Sequence, residues 1–180
     1  AESFGDSFTA IYFEGDAPVI TGDSFALDPD PEPTLYYLEG AAGFDDNPYP
    51  QWPRATYTRH NLTVTGGAGG GLYRQDRPVL ITANAAPAGQ GFVRWESDDG
   101  TPADANSERT LFTMPAADAA VTAIYGDLYM LTYDMNGGST SVSLDRQVPE
   151  GRIFPAAGTA GLTPPEGKRF KEWNTAPDGT

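Results

Sequence analysis

A nine-residue pattern occurs twice in this chain, and it constrains the fold more than any other feature of the sequence. Residues 87–95 are PAGQGFVRW and residues 165–173 are PEGKRFKEW, so Pro, Gly, Phe and Trp recur at matching offsets. An internal repeat indicates that a chain is assembled from copies of a small unit. The pattern therefore predicts tandem small modules in an elongated arrangement.

Short apolar runs, rich in β-branched and aromatic residues and separated by Gly, Pro, Asn and Asp, predict a mostly β fold. Strands are predicted at 8–13, 34–38, 62–65, 77–83, 92–95, 111–115, 120–125, 129–134 and 142–148. We divide the chain into a strand–loop–strand segment at 1–57, an all-β module at 58–126 and a third module at 127–180. In the third, Asn136-Gly137 predicts a hairpin turn.

The repeated aromatic pair is predicted to belong to the module cores. Phe92 and Trp95 are three positions apart, so a regular strand would point them to opposite faces. Either both faces are covered, or a bulge brings the two rings together. Because Phe170 and Trp173 repeat the pair in an otherwise divergent module, we interpret it as framework and not as a ligand site.

A glycine-rich run at 66–71 follows the strand predicted at 62–65. A phosphate-binding loop would need a helix directly after the glycines. Leu72, Tyr73 and Pro78 follow instead, and they do not favour a helix. The run therefore predicts a hairpin turn or bulge that needs positive φ.

The first module has two predicted strands, which alone are only marginally stable in water. Its motifs are FEGDAP at 13–18 and LYYLEGAAGF at 35–44. These motifs resemble the closing unit of bacterial surface leucine-rich-repeat proteins. The resemblance implies a final strand and turn that cap a solenoid.

The other two modules also resemble known repeats. The central module resembles the divergent internalin-type B-repeat through LTVTGG at 62–67, VLITA at 79–83, PAG at 87–89, Phe92-x-x-Trp95 and FTMPAAD at 112–118. The third resembles the Listeria–Bacteroides repeat, a β-grasp-like unit, through LTYDMNGG at 131–138 and Phe170-x-x-Trp173 with the residues to 180. In that family further strands follow, so we expect the third module to be incomplete and its C-terminal end poorly anchored.

These families are stalk and spacer modules of secreted and wall-attached bacterial proteins, and they offer no catalytic residues to carry over. The resemblance implies a non-catalytic fragment at the bacterial cell surface, in contact with neighbouring modules of its parent chain and contributing to adhesion. His60 is the single histidine, and we interpret it as a solvated linker residue because no nucleophile-elbow motif accompanies it.

The net charge of −14 argues against nucleic-acid binding, which needs a basic surface. No apolar run approaches the roughly 18 residues of a membrane span, which argues against membrane insertion. Acidic loops at 28–32 and 98–100 could supply calcium ligands, although neither matches an EF-hand. The alternative is that both are solvated loops.

An aromatic loop at 44–52 is the second functional hypothesis. Phe44, Tyr49 and Trp52 lie outside the repeats and could bind a host or cell-surface glycan or protein by stacking. The alternative is that the loop packs on its own module or on the next one. No catalytic residue and no metal ligand is predicted.

Overall fold

The structure is a computed structural model that describes residues 9–19, 32–44 and 52–175. In these ranges the chain has thirteen strands and no helix, which confirms the mostly β prediction. The strands are β1 (Ala10–Phe13), β2 (Thr34–Leu38), β3 (Arg54–Tyr57), β4 (Arg59–Thr65), β5 (Gly67–Ala68), β6 (Gly71–Arg74), β7 (Pro78–Ala83), β8 (Gln90–Ser97), β9 (Arg109–Thr113), β10 (Ala119–Leu131), β11 (Ser139–Thr140), β12 (Arg146–Pro149) and β13 (Leu162–Thr163). None of the described residues belongs to a helix that could cross a membrane.

The N-terminal sheet consists of three parallel strands in the order β1-β2-β3. Ala10 pairs with Thr34, and Leu35 pairs with Arg54, so a long crossover joins each pair of neighbouring strands, as parallel pairing requires. The strand β3 was not among the predicted strands. It adds a third strand to the sheet, so the segment is not the marginally stable pair of strands that the sequence predicts.

One face of this sheet carries a separate small core. Leu35, Phe44 and Trp52 are buried there. Partly buried residues pack against them: Ile11, Phe13, Ala17, Tyr37 and Ala41. The guanidinium of Arg54 donates to the carbonyl of Phe44 at 2.7 Å, which holds the loop end against the sheet.

The central region is built from two sheets that share one core. In the larger sheet β10 lies parallel to β4 and antiparallel to β8, while β6 extends it beyond β4. The smaller antiparallel sheet has the order β5-β7-β9. The core contains Leu62, Val79, Ile81, Phe92, Trp95, Phe112, Met114, Ala119, Val121 and Ala123.

Strand β7 carries apolar residues on both faces, a pattern that favours a central strand. It is the middle strand of its sheet, but only one face is covered. Val79 and Ile81 are buried, whereas Leu80 is 42 % exposed and pairs across the ladder with Leu111, which is 48 % exposed. The strand is therefore central, as its pattern suggests, and the apolar residues of its second face remain partly exposed.

The glycine-rich run forms turns, as predicted, and it also forms strands β5 and β6. Gly66 and Gly69 have φ values of 72° and 114°, which confirms the need for positive φ. Gly67 does not have a positive φ, and close packing is the reason that it is glycine. A Cβ at this position would lie 2.6 Å from the indole of Trp95 and 2.7 Å from the carbonyl oxygen of Thr82.

A bulge in β8 places the aromatic pair on one face. Ile124 pairs with Arg94 while the next residue, Tyr125, pairs with Phe92, so Val93 is the extra residue. Phe92 and Trp95 are both 2 % exposed, and their ring centroids are 5.7 Å apart at 61°. Of the two alternatives left open by the sequence, the structure shows the bulge.

The strand β10 runs across the boundary predicted between residues 126 and 127. The strands predicted at 120–125 and 129–134 are one strand of 13 residues, Ala119–Leu131. Its first half pairs with β4 and β8, and its last four residues pair with β12. The chain therefore leaves the central sheet without a linker.

Beyond β10 the strands are short. Asn136 and Gly137 have φ values of 46° and 81°, as the predicted turn requires. The strands on either side of this turn, β10 and β11, pair with β12 and β13 and not with each other. The return strand was predicted at 142–148, but β12 begins only at Arg146, and Val142 is exposed. A further two-stranded sheet pairs β11 with β13, and β13 was not predicted.

Candidate functional site

The loop predicted to bind a partner contributes two of its aromatic residues to the N-terminal core. Phe44 is 2 % exposed and Trp52 is 6 % exposed. Phe44 stacks on Tyr37 at 4.5 Å and meets Phe13 edge-on at 5.2 Å. These two residues therefore pack on their own module, which is the alternative that the sequence left open. Tyr49 lies outside the described residues, and ligand binding by this loop stays a prediction.

The connection between the N-terminal sheet and the central region is a single residue. β3 ends at Tyr57, and β4 begins at Arg59. The Tyr57 hydroxyl donates to the carbonyl of Phe13 at 2.9 Å. The Arg59 guanidinium donates to the Glu14 carbonyl at 2.7 Å and forms an ion pair with the Glu14 carboxylate. Both side chains tie the connection back to the end of β1.

The surroundings of Tyr57 and Arg59 raise the pKa of both side chains. Burial raises the pKa of the Tyr57 hydroxyl, although its hydrogen bond with Arg59 acts in the opposite direction. Burial alone would lower the pKa of Arg59. The hydrogen bonds and charges of Glu14 and Tyr57 outweigh this effect and raise it. Tyr57 is thus held neutral and Arg59 charged.

A cleft of about 490 Å³ lies where the N-terminal sheet meets the central region. We call it the junction cleft, and its lining is Tyr12, Tyr36, Glu39, Thr56, Tyr57, Thr58, His60, Arg74, Gln75 and Asp76. Tyr12 and Tyr36 face each other across β1 and β2 and stack at 4.8 Å with an interplanar angle of 13°. The Arg74 guanidinium lies 3.7 Å from the centroid of the Tyr12 ring.

His60 is a half-buried residue of β4 rather than a solvated linker residue. Its Nε2 lies 3.4 Å from the Thr58 hydroxyl, and its Nδ1 lies 4.0 Å from the Asp118 carboxylate. The Asp118 carboxylate accepts a shorter hydrogen bond, 2.7 Å, from the backbone N–H of Asn61. The two distances from the His60 ring are longer than the tight hydrogen bonds of a proton relay. The Asp118 carboxylate instead binds the backbone of β4.

A second junction joins the central sheet to the C-terminal segment through backbone packing. A Cβ at Gly126 would lie 2.3 Å from the carbonyl oxygen of Glu150. A Cβ at Gly91 would lie 2.7 Å from the ring of Pro149. The Arg152 guanidinium donates to the carbonyl of Phe92 at 3.1 Å. The turn after β12 is therefore packed directly on the rim of the central sheet.

The second copy of the aromatic pair forms a cluster in the C-terminal segment. Phe170 and Trp173 lie 5.2 Å apart at 64°, and Tyr133 meets Trp173 at 4.7 Å. The indole Nε1 of Trp173 donates to the carbonyl of Ala157 at 2.8 Å. A cleft of about 640 Å³ lies beside these rings.

The acidic loop at 98–100 uses its carboxylates on the backbone. Asp98 accepts from the N–H of Ala120 at 2.7 Å, and Asp99 accepts from the N–H of Gly100 at 2.8 Å. Among the described residues, no three acidic or histidine side chains are grouped so that they could hold a metal ion. Asp28 and Asp30 of the other predicted calcium loop lie outside those residues.

A comparison with protein families gave a match to the central region. Residues 57–127 match the family model described as the divergent InlB B-repeat domain. The match supports the internalin-type resemblance of the central module, and this part of the chain is similar to a repeat of bacterial surface proteins. No curated protein and no solved structure gave a match. The resemblances of the first and third modules remain predictions.

Proposed function

We propose that this chain is a non-catalytic spacer segment of a secreted or cell-wall-attached bacterial surface protein. The similarity of residues 57–127 to a divergent B-repeat supports this assignment. The single observation that carries the spacer role is β10, which belongs to the central sheet at one end and pairs with β12 at the other. The role of such a segment is to hold its neighbours at a defined separation and orientation.

Stiffness at the two junctions is the physical basis of this role. A flexible linker lets modules move independently. Here a single residue, Thr58, separates β3 from β4, and no residue separates the central sheet from the start of the next ladder. Bending at the second junction would break pairs between β10 and β12 and open the close packing of Gly126 against Glu150.

The flanking segments fit the same proposal. The parallel strands β1, β2 and β3, joined by long crossovers, have the geometry of stacked solenoid repeats. This supports the role of the first segment as the end unit of a leucine-rich-repeat domain. The third segment would be the beginning of a Listeria–Bacteroides-type repeat. The partners would be neighbouring modules of the parent chain and a host or cell-surface glycan or protein.

Small-angle scattering with matched linker insertions tests the spacer role. A flexible Gly-Ser insertion after Thr58 should increase the spread of interatomic distances, because it frees the N-terminal sheet. The same insertion between Asp99 and Gly100, in an exposed loop of the central region, is the control and should leave the distribution unchanged. The proposal fails if the unmodified chain already scatters as a compact globule, or as modules on a flexible tether.

A further inference from the structure

We propose that the junction cleft binds a short neutral oligosaccharide. This site is distinct from the 44–52 loop, whose Phe44 and Trp52 rings are buried. It also does not depend on the spacer role, because it rests on the side chains that the N-terminal sheet and the central region place opposite each other. The argument proceeds from the aromatic wall of the cleft to its polar groups, its size and its charge.

Tyrosine side chains form one wall of the cleft. Tyr12 and Tyr36 occupy paired positions on adjacent strands, on the face of the sheet opposite to the buried Leu35. Tyr57 meets Tyr12 edge-on at 5.8 Å. The Arg74 guanidinium lies over the Tyr12 ring, but Tyr12 is still 37 % exposed and Tyr36 is half-buried, so both rings offer aromatic surface to a ligand. Tyrosine combines an apolar ring with a polar tip, which suits the C–H face and hydroxyl rim of a sugar ring.

Charged groups that make no ion pair surround this aromatic wall. Arg74, Glu39 and Asp76 all line the cleft, and none forms a salt bridge with another described residue. The Nε of Arg74 is buried and has no hydrogen-bond partner, and its Nη1 makes only a 3.3 Å contact with the Gln75 carbonyl. The carboxylates of Glu39 and Asp76 are exposed, so water solvates them in the free protein. Ligand hydroxyl groups, which both donate and accept, could replace this water.

The size and lining of the cleft distinguish between classes of ligand. A volume of about 490 Å³ lies within the range of small-molecule sites, roughly 300–1,000 Å³. A protein partner would need a contact of about 800 Å² on each side, far more than ten residues around a cleft provide. Among the described residues, no aliphatic side chain lines the cleft, so these residues form no apolar pocket for a lipid or a hydrophobic peptide. A small ligand rich in hydroxyl groups fits best.

The charge of the site favours a neutral ligand over an anionic one. Two carboxylates, of Glu39 and Asp76, line the cleft together with one guanidinium, that of Arg74, and His60 Nδ1 lies 4.0 Å from the Asp118 carboxylate. The whole chain carries a net charge of −14, which adds repulsion at longer range. Sialylated and uronic-acid-containing sugars are therefore expected to bind more weakly than neutral ones.

The position of the site implies a link between binding and the junction. Tyr36 and Glu39 come from the N-terminal sheet, whereas Arg74 and Asp76 come from β6 and the turn after it. A ligand that bridges both sides binds only the docked arrangement and so stabilises it. Bound sugar should raise the melting temperature of the N-terminal sheet.

Calorimetry with a fixed set of sugars tests the proposal. The probes are maltotetraose, cellotetraose and chitotetraose as neutral sugars, with sialyllactose and a uronic-acid tetramer as anionic ones. We expect at least one neutral probe to bind and Tyr36→Ala to weaken it roughly tenfold. Tyr36→Phe, which keeps the ring, should lose less. Tyr129→Ala, at an exposed tyrosine of β10 outside the cleft, should have no effect.

Two further variants keep the test decisive if Tyr36→Ala unfolds the N-terminal sheet. Glu39→Gln and Arg74→Gln change polar groups of the cleft, and each should weaken the same neutral probe by several-fold. The proposal is overturned if no neutral probe binds at millimolar concentration. It is also overturned if the anionic probes bind more tightly, or if none of the three cleft substitutions changes the affinity of a folded variant.

Discussion

The two copies of the Pro-Gly-Phe-Trp pattern share the same local geometry. Phe92 and Trp95 meet at 5.7 Å and 61°, and Phe170 and Trp173 meet at 5.2 Å and 64°. Each indole donates to a backbone carbonyl, at 3.0 Å for Trp95 and 2.8 Å for Trp173. A tyrosine completes each cluster, as Tyr125 packs on Phe92 and Tyr133 packs on Trp173.

The surroundings of the two copies differ. Trp95 lies in β8, is 2 % exposed and is enclosed by residues of two sheets. Trp173 is only partly buried, belongs to none of the strands in the described part of the chain, and lines the 640 Å³ cleft. The short motif is thus sufficient to set the ring geometry. The energetic value of that geometry depends on the strands that surround it.

The largest expected effect comes from removing the two indoles. Trp95→Ala should lower the free energy of unfolding by about 3–5 kcal/mol, because it leaves a large cavity between two sheets. Trp173→Ala should cost about 1–2 kcal/mol and act only locally, since its ring is partly exposed beside an existing cleft. Urea unfolding followed by circular dichroism measures both.

Equal losses for the two variants would contradict this account of the repeat. They would indicate that the motif itself, and not its enclosure, determines the energetics. Trp52→Ala provides a reference within the same chain, because Trp52 is buried in the separate core of the N-terminal sheet. Its loss should affect that sheet and leave the central core folded.

The next largest effect should come from adding a Cβ to a glycine that packs against the first tryptophan. Gly67→Ala would place a Cβ 2.6 Å from Trp95 and 2.7 Å from the Thr82 carbonyl. Forcing these groups apart should cost about 1–3 kcal/mol. Gly158→Ala, in the C-terminal segment, meets nothing within 4 Å and should have no destabilising effect. Thermal melting compares the two, and similar shifts would show that the glycine run is not packed against Trp95.

Much of the central region could be predicted from its sequence. β7 and β9 follow from apolar alternation, and the bulge at Val93 was one of two explicit alternatives because Phe92 and Trp95 are three positions apart. Strands β5 and β6 were missed. Their pairing depends on glycines that permit close backbone approach, and such contacts leave no periodic pattern in the sequence.

The junction cleft could not be found from the sequence for a related reason. Its stacked tyrosines come from strands whose paired residues are distant in the chain, and Arg74 reaches Tyr12 from a different sheet. Strand β3 was missed because Arg54–Tyr57 is short and follows a proline-rich stretch. Without β3, the parallel pairing that aligns Tyr12 with Tyr36 in a three-stranded sheet was not evident.

A smaller effect is expected from the tyrosine hydroxyls that complete the two clusters. The Tyr125 hydroxyl lies 2.9 Å from the Gly66 carbonyl and 2.8 Å from the Asn84 carbonyl. Tyr125→Phe should therefore cost about 1 kcal/mol, since it leaves two carbonyls without this donor. In the second copy, the Tyr133 hydroxyl accepts from the Ala157 N–H at 3.0 Å, and Tyr133→Phe should affect only that segment.

Alkaline pH provides a second test of the Tyr125 hydroxyl. Burial raises the pKa of Tyr125 above its ordinary value of 10.0, and the nearby Glu108 raises it further, while the hydrogen bond with Asn84 acts in the opposite direction. Because the folded-state pKa is the higher one, the stabilisation is fully present below pH 10 and is lost as pH rises through the folded-state pKa. The melting temperature of Tyr125→Phe should fall less steeply above pH 10 than that of the unmodified chain. Identical slopes would exclude this contribution.

The smallest effect should come from the surface ion pairs. Their contribution to the free energy of unfolding is expected to be similar in the two copies. Arg94 pairs with Glu96 beside the first tryptophan, and Lys171 pairs with Glu172 at 3.1 Å beside the second. All four side chains are at least 43 % exposed, so solvent screens both pairs. Glu96→Gln and Glu172→Gln should each change the free energy of unfolding by less than about 1 kcal/mol, and added salt should reduce the difference. This expectation would be contradicted if Glu96→Gln lowered the free energy of unfolding much more than Glu172→Gln and salt did not change the difference. The ion pair beside Trp95 would then be shielded from solvent, unlike the one beside Trp173.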